Sequence, residues 1–141
     1  DKGLPSGTIP AAVAGDEAAR AAAHALAEKL RFSPFTVEGD RRLYHAAAVL
    51  AGNFTTTLLV QASRALAACG VSEDDARRLL APLASESLTN TITLGADALT
   101  GPVARGDEHV VQEHQRALDA LDPQLGDLYE ALTKATRQVK G

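Results

Sequence analysis

The spacing of hydrophobic and polar positions changes near Glu38. Before that residue the apolar positions predict a short strand over residues 11–15, an amphipathic helix over 16–30 and a second strand over 35–38. Asp16 is expected to cap the helix. Two strands of this length do not form a stable sheet by themselves, so the pattern predicts a strand-helix-strand unit that requires further strands.

Beyond this point the apolar positions follow helical spacing to the end of the chain. The pattern predicts helical segments over residues 40–69, 72–81, 83–97, 107–120 and 122–139. Asp40, Asp107 and Asp122 are expected to cap the segments that they open, and Pro123 takes the first helical position of the last one. Pro82 is expected to separate the second segment from the third, because proline removes a hydrogen-bond donor from a helix.

Local signals also mark the end of the long helix and the start of the next one. Gly70 is expected to end the first, and Ser72 with Asp75 three residues later resembles a capping box. The chain is therefore predicted to be mainly α-helical. We expect residues 1–38 to form a β-α-β unit and residues 39–141 to form a helical domain.

The predicted long helix is apolar around more than one face, which is typical of a central helix packed on several sides. Four polar residues on it, His45, Asn53, Thr56 and Thr57, would need partners if they were buried. Asn53 shares a face with Thr56 and Thr57, whereas His45 is roughly 80 degrees away around the helix. His45 and Asn53 could border one pocket, or these side chains could simply satisfy each other inside the protein.

A nine-residue stretch, "LTGPVARGD" over residues 99–107, interrupts the helices. Gly101 would allow a positive φ angle, and Pro102 would prevent helix continuation, so the stretch reads as a turn. A turn does not require Arg105. Its planar donors beside a helix N-terminus suit a carboxylate or phosphate; the alternative is an ion pair with Glu86 or Asp97.

Composition narrows the function classes. The chain has 141 residues, of which 45% are apolar and 4% aromatic, so one globular core built from aliphatic side chains is expected. The net charge of −4 and the lack of a basic stripe argue against nucleic-acid binding. We expect no apolar run long enough to span a bilayer, which needs about 20 residues, and no signal peptide is visible. We expect a cytoplasmic protein without a membrane partner.

Other residues are less informative. The single cysteine, Cys69, is expected to be a small buried residue. His24, His109 and His114 lie on charged segments and are expected to be solvated, and no metal site is predicted. Asn90, between two threonines, could bind a ligand or serve an internal hydrogen bond. The sequence has no glycine-rich dinucleotide motif, P-loop, hydrolase elbow or zincin motif.

Three segments carry a resemblance to a known family: "LYHAAAVLAGNF", "LTGPVARGD" and "DPQLGDLYEALTKAT", in this order. They resemble the C-terminal part of two-domain proteins in which a Rossmann-like domain precedes a helical domain of unknown function, number 2520. This family is similar to pyrroline-5-carboxylate reductase, ketopantoate reductase and 6-phosphogluconate dehydrogenase-like oxidoreductases. The resemblance implies a helical bundle of the 6-phosphogluconate dehydrogenase C-terminal type after the remnant of a Rossmann-like domain. The first residue, Asp1, and the lack of methionine fit a piece of a longer protein.

The resemblance implies an NAD(P)-dependent oxidoreductase whose helical half forms a homodimer and one wall of a substrate cleft. NADP or NAD would be bound mainly by the missing N-terminal domain, so the piece alone is not expected to be active. Relatives place a lysine and an asparagine on the first long helix; here Asn53 matches the asparagine, and His45 replaces the lysine as proton donor, since imidazole titrates near neutral pH. The remaining residues assigned to the substrate, a small carbonyl or imine compound with a carboxylate or phosphate, are Thr57, Asn90, Thr100, Gly101 and Arg105.

Two other interpretations stay open. The missing lysine is compatible with a dimerisation or interaction module that kept the fold without chemistry. A free-standing helical bundle is a third interpretation, but it does not explain the two orphan strands.

Overall fold

The computed structural model describes residues 9–140. The described elements, in chain order, are β1 (Ile9–Val13), α1 (Glu17–Lys29), β2 (Phe32–Thr36), α2 (Arg41–Val49), a π-helical turn (Leu50–Phe54), α3 (Thr55–Ala67), α4 (Glu73–Leu94), a 3-10 turn (Gly95–Ala98), α5 (Gly101–Arg105), α6 (Glu108–Leu121) and α7 (Pro123–Lys140). The mainly α-helical fold with a short β-α-β start is confirmed. Contacts divide the chain into an N-terminal unit, Asp1–Asn53, and a C-terminal unit, Phe54–Gly141. The predicted domain boundary after residue 38 stays a prediction.

In the N-terminal unit β1 and β2 pair in parallel, and α1 connects them. The register runs from Ile9 opposite Phe32 to Val13 opposite Thr36. Both strands begin and end two or three residues earlier than predicted. The alanine run continues past the strand into the turn before α1, so hydrophobicity alone does not mark where β1 ends.

Both strands contain a proline, and both prolines face away from the partner strand. The amide of Val37 donates to the carbonyl of Val13 over 3.0 Å. The backbone N–H and C=O groups of these two residues therefore point toward the partner strand. Alternate residues point the other way. Pro10 and Pro34 therefore lie on the outer edges of the pair, where a missing N–H leaves the ladder intact.

Side-chain caps form at four of the predicted positions. Asp16 accepts from the amide of Ala19 over 2.8 Å, and Asp40 accepts from the amide of Arg42 over 2.8 Å. The Ser72 hydroxyl accepts from the amide of Asp75 over 3.1 Å. Asp122 accepts from the amide of Gln124 over 3.0 Å and opens α7. At the start of α6 the expected cap is not made, since the Asp107 side chain accepts no capping bond.

The expected break at Pro82 is wrong, because α4 continues through it from Glu73 to Leu94. Pro82 is exposed, and so is residue 78, whose carbonyl would bond to the amide that proline lacks. Water can hydrate that carbonyl, which reduces the cost of the missing bond. The helix ends instead at Gly95, whose φ of 57° leaves the right-handed region.

The stretch 99–107 is more helical than predicted. Residues Gly101–Arg105 form the one-turn helix α5, which contacts both α6 and α7. Gly101 has a φ of 89°, as expected, and Gly106 ends the helix with a φ of 73°. Arg105 is therefore the last residue of a helical turn and not part of an irregular loop.

Small side chains dominate the core of the C-terminal unit, where α3 packs on α4 and α6 packs on α7. The buried residues of this unit within the described chain are Ser63, Ala76, Val111, Leu125, Gly126 and Thr133. The Ser63 hydroxyl donates to the carbonyl of Leu59 over 2.7 Å, so its burial leaves no donor unsatisfied. Cys69, expected to be buried, is exposed at the end of α3.

The expectation that the long helix is packed on several sides is not met within this chain. None of the residues of α2 is buried, and Leu43 is 70% exposed. In α3 only Ser63 is buried. The elements of this chain are too few to surround the helix.

Residues Arg41–Ala67 form a stretch that is long and apolar enough to cross a membrane by length and composition. This differs from the expectation that no such stretch exists, because small polar residues interrupt its apolar positions without adding charge. The central helix of a soluble protein meets the same two criteria, so this finding does not assign the stretch to a membrane.

Candidate functional site

His45 and Asn53 both lie in the N-terminal unit, on α2 and on the π-helical turn that follows it. Both side chains are exposed, as are those of Thr56 and Thr57 on α3. Water can therefore reach these polar groups, which removes the requirement for buried partners that the sequence raised.

The π-helical turn, Leu50–Phe54, changes the relation between His45 and Asn53. A π-helical bond spans five residues instead of four, so the turn holds about one residue more than an α turn. One residue corresponds to roughly 100 degrees of rotation, so a separation of roughly 80 degrees falls to roughly 20 degrees. His45 and Asn53 thus lie on nearly the same face, about two turns apart, and can border one ligand without touching.

His45 also lines a shallow depression of about 420 Å³ on α2. Its other lining residues are Arg41, Arg42, Tyr44 and Ala46. An imidazole, a phenol and two guanidinium groups therefore lie along one open patch on a single helix. The sequence-based prediction included His45 but passed over Arg41 and Tyr44, although their position one turn or less before His45 could have drawn attention to them.

The other predicted site residues lie in the C-terminal unit. Thr57 is exposed on α3, and Asn90 is exposed on α4. The threonines beside Asn90 bond to their own helix: Thr89 donates to the carbonyl of Ser85 over 2.9 Å, and Thr91 donates to that of Ser87 over 2.8 Å. The amide of Asn90 is not used in this way, so it stays available to a ligand.

Thr100, Gly101 and Arg105 belong to the short helix α5. Thr100 precedes the helix and makes no side-chain capping bond, and Arg105 is exposed at its end. Within residues 9–140 Arg105 forms no ion pair with Glu86 or Asp97; the nearest cation to Asp97 is Lys140, at 3.9 Å. The alternative explanation of Arg105 as a structural ion pair is not supported in the described part of the chain.

The histidines outside α2 have structural partners. His24 lies 3.2 Å from the hydroxyl of Thr36, and His114 lies 3.1 Å from that of Tyr129. His109 lies 3.5 Å from a carboxylate oxygen of Glu113. His109 and His114 are exposed, as expected for solvated side chains, and His24 is half-buried. The hydrogen bonds of His24 and His114 also join neighbouring elements. No group of three or more metal-binding side chains occurs among the described residues.

The C-terminal unit contains an apolar cleft of about 290 Å³ between α3, α4, α6 and α7. Seven leucines form most of its wall: Leu58, Leu66, Leu80, Leu118, Leu125, Leu128 and Leu132. A cleft of this composition suits apolar contacts rather than proton transfer or ion binding.

Comparisons with known proteins place this geometry in context. A crystal structure of a candidate NADP oxidoreductase from Bacteroides fragilis matches with a TM-score of 0.71 and 29% identity, over 89% of this chain and 48% of that one. A crystal structure of a protein from Thermotoga maritima matches with a TM-score of 0.79 and 28% identity, over 93% of this chain and 53% of that one. The chain thus spans about half the length of each. No curated protein matches significantly.

The family described as a domain of unknown function, DUF2520, matches residues 9–136. This range includes the α2 helix with its π-helical turn, the short helix α5 and almost all of α7. The chain belongs to the DUF2520 family.

Proposed function

We propose that this chain forms the helical, substrate-facing part of an NAD(P)-dependent oxidoreductase. The observation that carries the proposal is the match to the candidate NADP oxidoreductase from Bacteroides fragilis, at 29% identity over 89% of this chain. The proposed substrate of the whole oxidoreductase is a small carbonyl or imine compound with a carboxylate or phosphate group. The kinship with pyrroline-5-carboxylate reductase, ketopantoate reductase and 6-phosphogluconate dehydrogenase belongs to the same proposal.

We assign NADP or NAD to residues beyond this chain. A dinucleotide-binding fold places its phosphate-binding turn between its first strand and the helix that follows, and the first such pair among the described residues is β1 and α1. Here that helix begins with Asp16 and Glu17, whose negative charges oppose a pyrophosphate at the helix N-terminus. The residues of this chain therefore do not fit the phosphate cradle. The nicotinamide would supply the hydride from that other part of the protein.

The proposed role of α2 is to present a proton donor and an orienting amide to the substrate. His45 donates the proton to the carbonyl oxygen or imine nitrogen, and Asn53 holds that group by a hydrogen bond. The support is their position on nearly the same helix face, which the π-helical turn produces. Thr57, Asn90, Thr100, Gly101 and Arg105 are proposed to contact the rest of the substrate, with Arg105 binding its anionic group.

A homodimer is part of this proposal. Several large apolar side chains of the C-terminal unit are exposed, among them Leu79 at 62%, Leu83 at 63% and Ile92 at 88%. Exposed apolar positions in this number are typical of surfaces that another protein covers. The same observation favours the second candidate function, a dimerisation or interaction module without catalysis.

Calorimetric titration of NADPH and NADH into the full-length gene product tests the proposal. Binding, followed by turnover in a screen of small carboxylates and phosphates, is the expected result. His45→Ala should then lower kcat by roughly 10²-fold or more, with the melting temperature nearly unchanged because the side chain is exposed. Failure to bind either cofactor would overturn the proposed oxidoreductase function and would favour the dimerisation or interaction module.

A further inference from the structure

A second cavity in the N-terminal unit, of about 350 Å³, lies at the carboxyl ends of the two parallel strands. Val13 and Ala14 at the end of β1 and Val37 just after β2 form part of its wall. Ligands of open α/β sheets bind outside the carboxyl ends of the strands, because the chain leaves the sheet there and exposes backbone groups. The cavity therefore lies at the edge of the sheet where a ligand is expected.

Helix α2 closes this cavity with Arg41 and Tyr44. The same two side chains line the depression that contains His45. Arg41 and Tyr44 are thus shared by both spaces, and a ligand held by Arg41 in the cavity can extend along α2 toward His45.

The charge of Arg41 is not compensated by its nearest acidic neighbour in sequence. Asp40 is engaged by Arg42, whose Nε and Nη2 donate to its two carboxylate oxygens over 2.8 to 3.1 Å. Within residues 9–140 Arg41 itself forms no ion pair and no side-chain hydrogen bond. Its guanidinium group can therefore bind an anion without first breaking an internal contact.

Tyr44 is positioned by an aromatic contact. Its ring meets that of Phe35 on β2 edge to face, with a centroid distance of 6.0 Å and an interplanar angle of 64°. This arrangement is a favourable one for aromatic rings. It holds the phenol beside Arg41 and adds a second hydrogen-bond donor to the same wall.

We infer that Arg41 and Tyr44 form an anion-binding site at the carboxyl ends of β1 and β2, which holds a carboxylate or phosphate group of a small ligand. Anion binding itself does not rest on the proposed function. The inference rests on it only where the ligand is the substrate reduced beside His45, and the anion at Arg41 is then a different group from the one that Arg105 is proposed to bind.

The test is an NMR titration of the ¹⁵N-labelled chain with inorganic phosphate and, separately, with acetate, at constant ionic strength. Saturable shifts are expected at the amides of Val13, Ala14 and Val37. Arg41→Ala should weaken the binding of whichever anion binds more tightly by at least tenfold. Arg31→Ala is the matched control, since it removes the same charge from the same unit at the amino end of β2.

Tighter binding of phosphate would identify a phosphate ester as the ligand class, and tighter binding of acetate would identify a carboxylate. Either result supports the proposed site. Arg41→Lys, which keeps the charge and is not expected to disturb folding, should restore part of the affinity. The inference is overturned if neither anion shifts these amides or if Arg31→Ala has the same effect as Arg41→Ala. Because NADPH binding is measured separately, anion binding without NADPH binding would reject the proposed function alone.

Discussion

The side-chain amide of Gln115 on α6 donates a hydrogen bond of 3.0 Å to the backbone carbonyl of Gly126 on α7. The same amide donates to Asp119 over 2.9 Å. These bonds require a close approach of the two helices, and Gly126 allows it because a Cβ there would overlap the Asp119 carboxylate. A side chain at residue 126 would therefore require the Asp119 carboxylate to move and the Gln115 amide to give way.

Replacement of Gly126 by valine should lower the free energy of unfolding by about 1–3 kcal/mol, because a branched side chain overfills the contact with Gln115 and Asp119. Chemical denaturation of the purified variant measures the change. Ala131→Val, at an exposed position of the same helix, is the control and should change the stability by less than about 1 kcal/mol. Equal effects of the two variants would show that the close approach is unimportant.

Replacement of Pro82 by alanine should raise stability by about 1–3 kcal/mol, because it supplies the amide donor that α4 lacks in its interior. Thermal unfolding followed by circular dichroism measures the shift. Ser85→Ala, three residues later on the same helix, serves as control and should change the stability by about 0.5 kcal/mol at most. An unchanged or lowered melting temperature in Pro82→Ala would contradict the expected gain and would mean that hydration of the residue 78 carbonyl fully offsets the missing hydrogen bond.

Hydrogen bonds from Arg42 hold the pKa of Asp40 below its ordinary value of 3.8. Since the folded-state pKa is lowered, the stabilisation is present above the ordinary value and is lost as the pH falls through the lowered one. A ¹³C NMR titration of the Asp40 carboxyl carbon should give a midpoint below 3.8, which rises toward 3.8 in Arg42→Ala. Arg41→Ala should raise the titration midpoint of Asp40 much less. An equal rise would mean that the nearby positive charge, and not the hydrogen bonds from Arg42, lowers the pKa of Asp40.

The π-helical turn determines which residue lies on the same helix face as His45 and so faces the proposed substrate. In a continuous α-helix residue 52 would align with His45, whereas the π-helical turn aligns Asn53. Asn53→Ala should therefore lower kcat/KM by roughly 10²-fold on the substrate found by screening. The double variant Gly52→Asn/Asn53→Ala should not recover activity. Its recovery would mean that the working protein has a regular α-helix there.

Local chemistry made part of this fold predictable. Asp16, Asp40, Ser72 and Asp122 cap helices because a side-chain oxygen next to free amides is favourable almost irrespective of the remaining structure. The continuation of α4 through Pro82 is not predictable in this way, because it depends on the surrounding structure. Whether a helix tolerates proline depends on water access to a carbonyl four residues earlier, and the sequence does not show which side of α4 is exposed.

The candidate site was less predictable. His45 and Asn53 could be named from residue type and resemblance, but the relation between them depends on a π-helical turn that hydrophobic periodicity does not indicate. The sequence pattern does not single out Arg41, and only the structure shows that Arg42, not Arg41, bonds to the Asp40 carboxylate. The stretch 99–107 was interpreted as a turn, since four helical residues between two glycines are too few to produce a periodic pattern.

The outward-facing prolines of β1 and β2 affect how this sheet can meet other chains. Any strand that joined the free side of β1 at Pro10, or that of β2 at Pro34, would find one amide donor missing from the ladder. Proline at such positions acts as a gatekeeper against fibril-like stacking of identical copies. Both outer edges of this short parallel pair are thereby poor templates for self-aggregation.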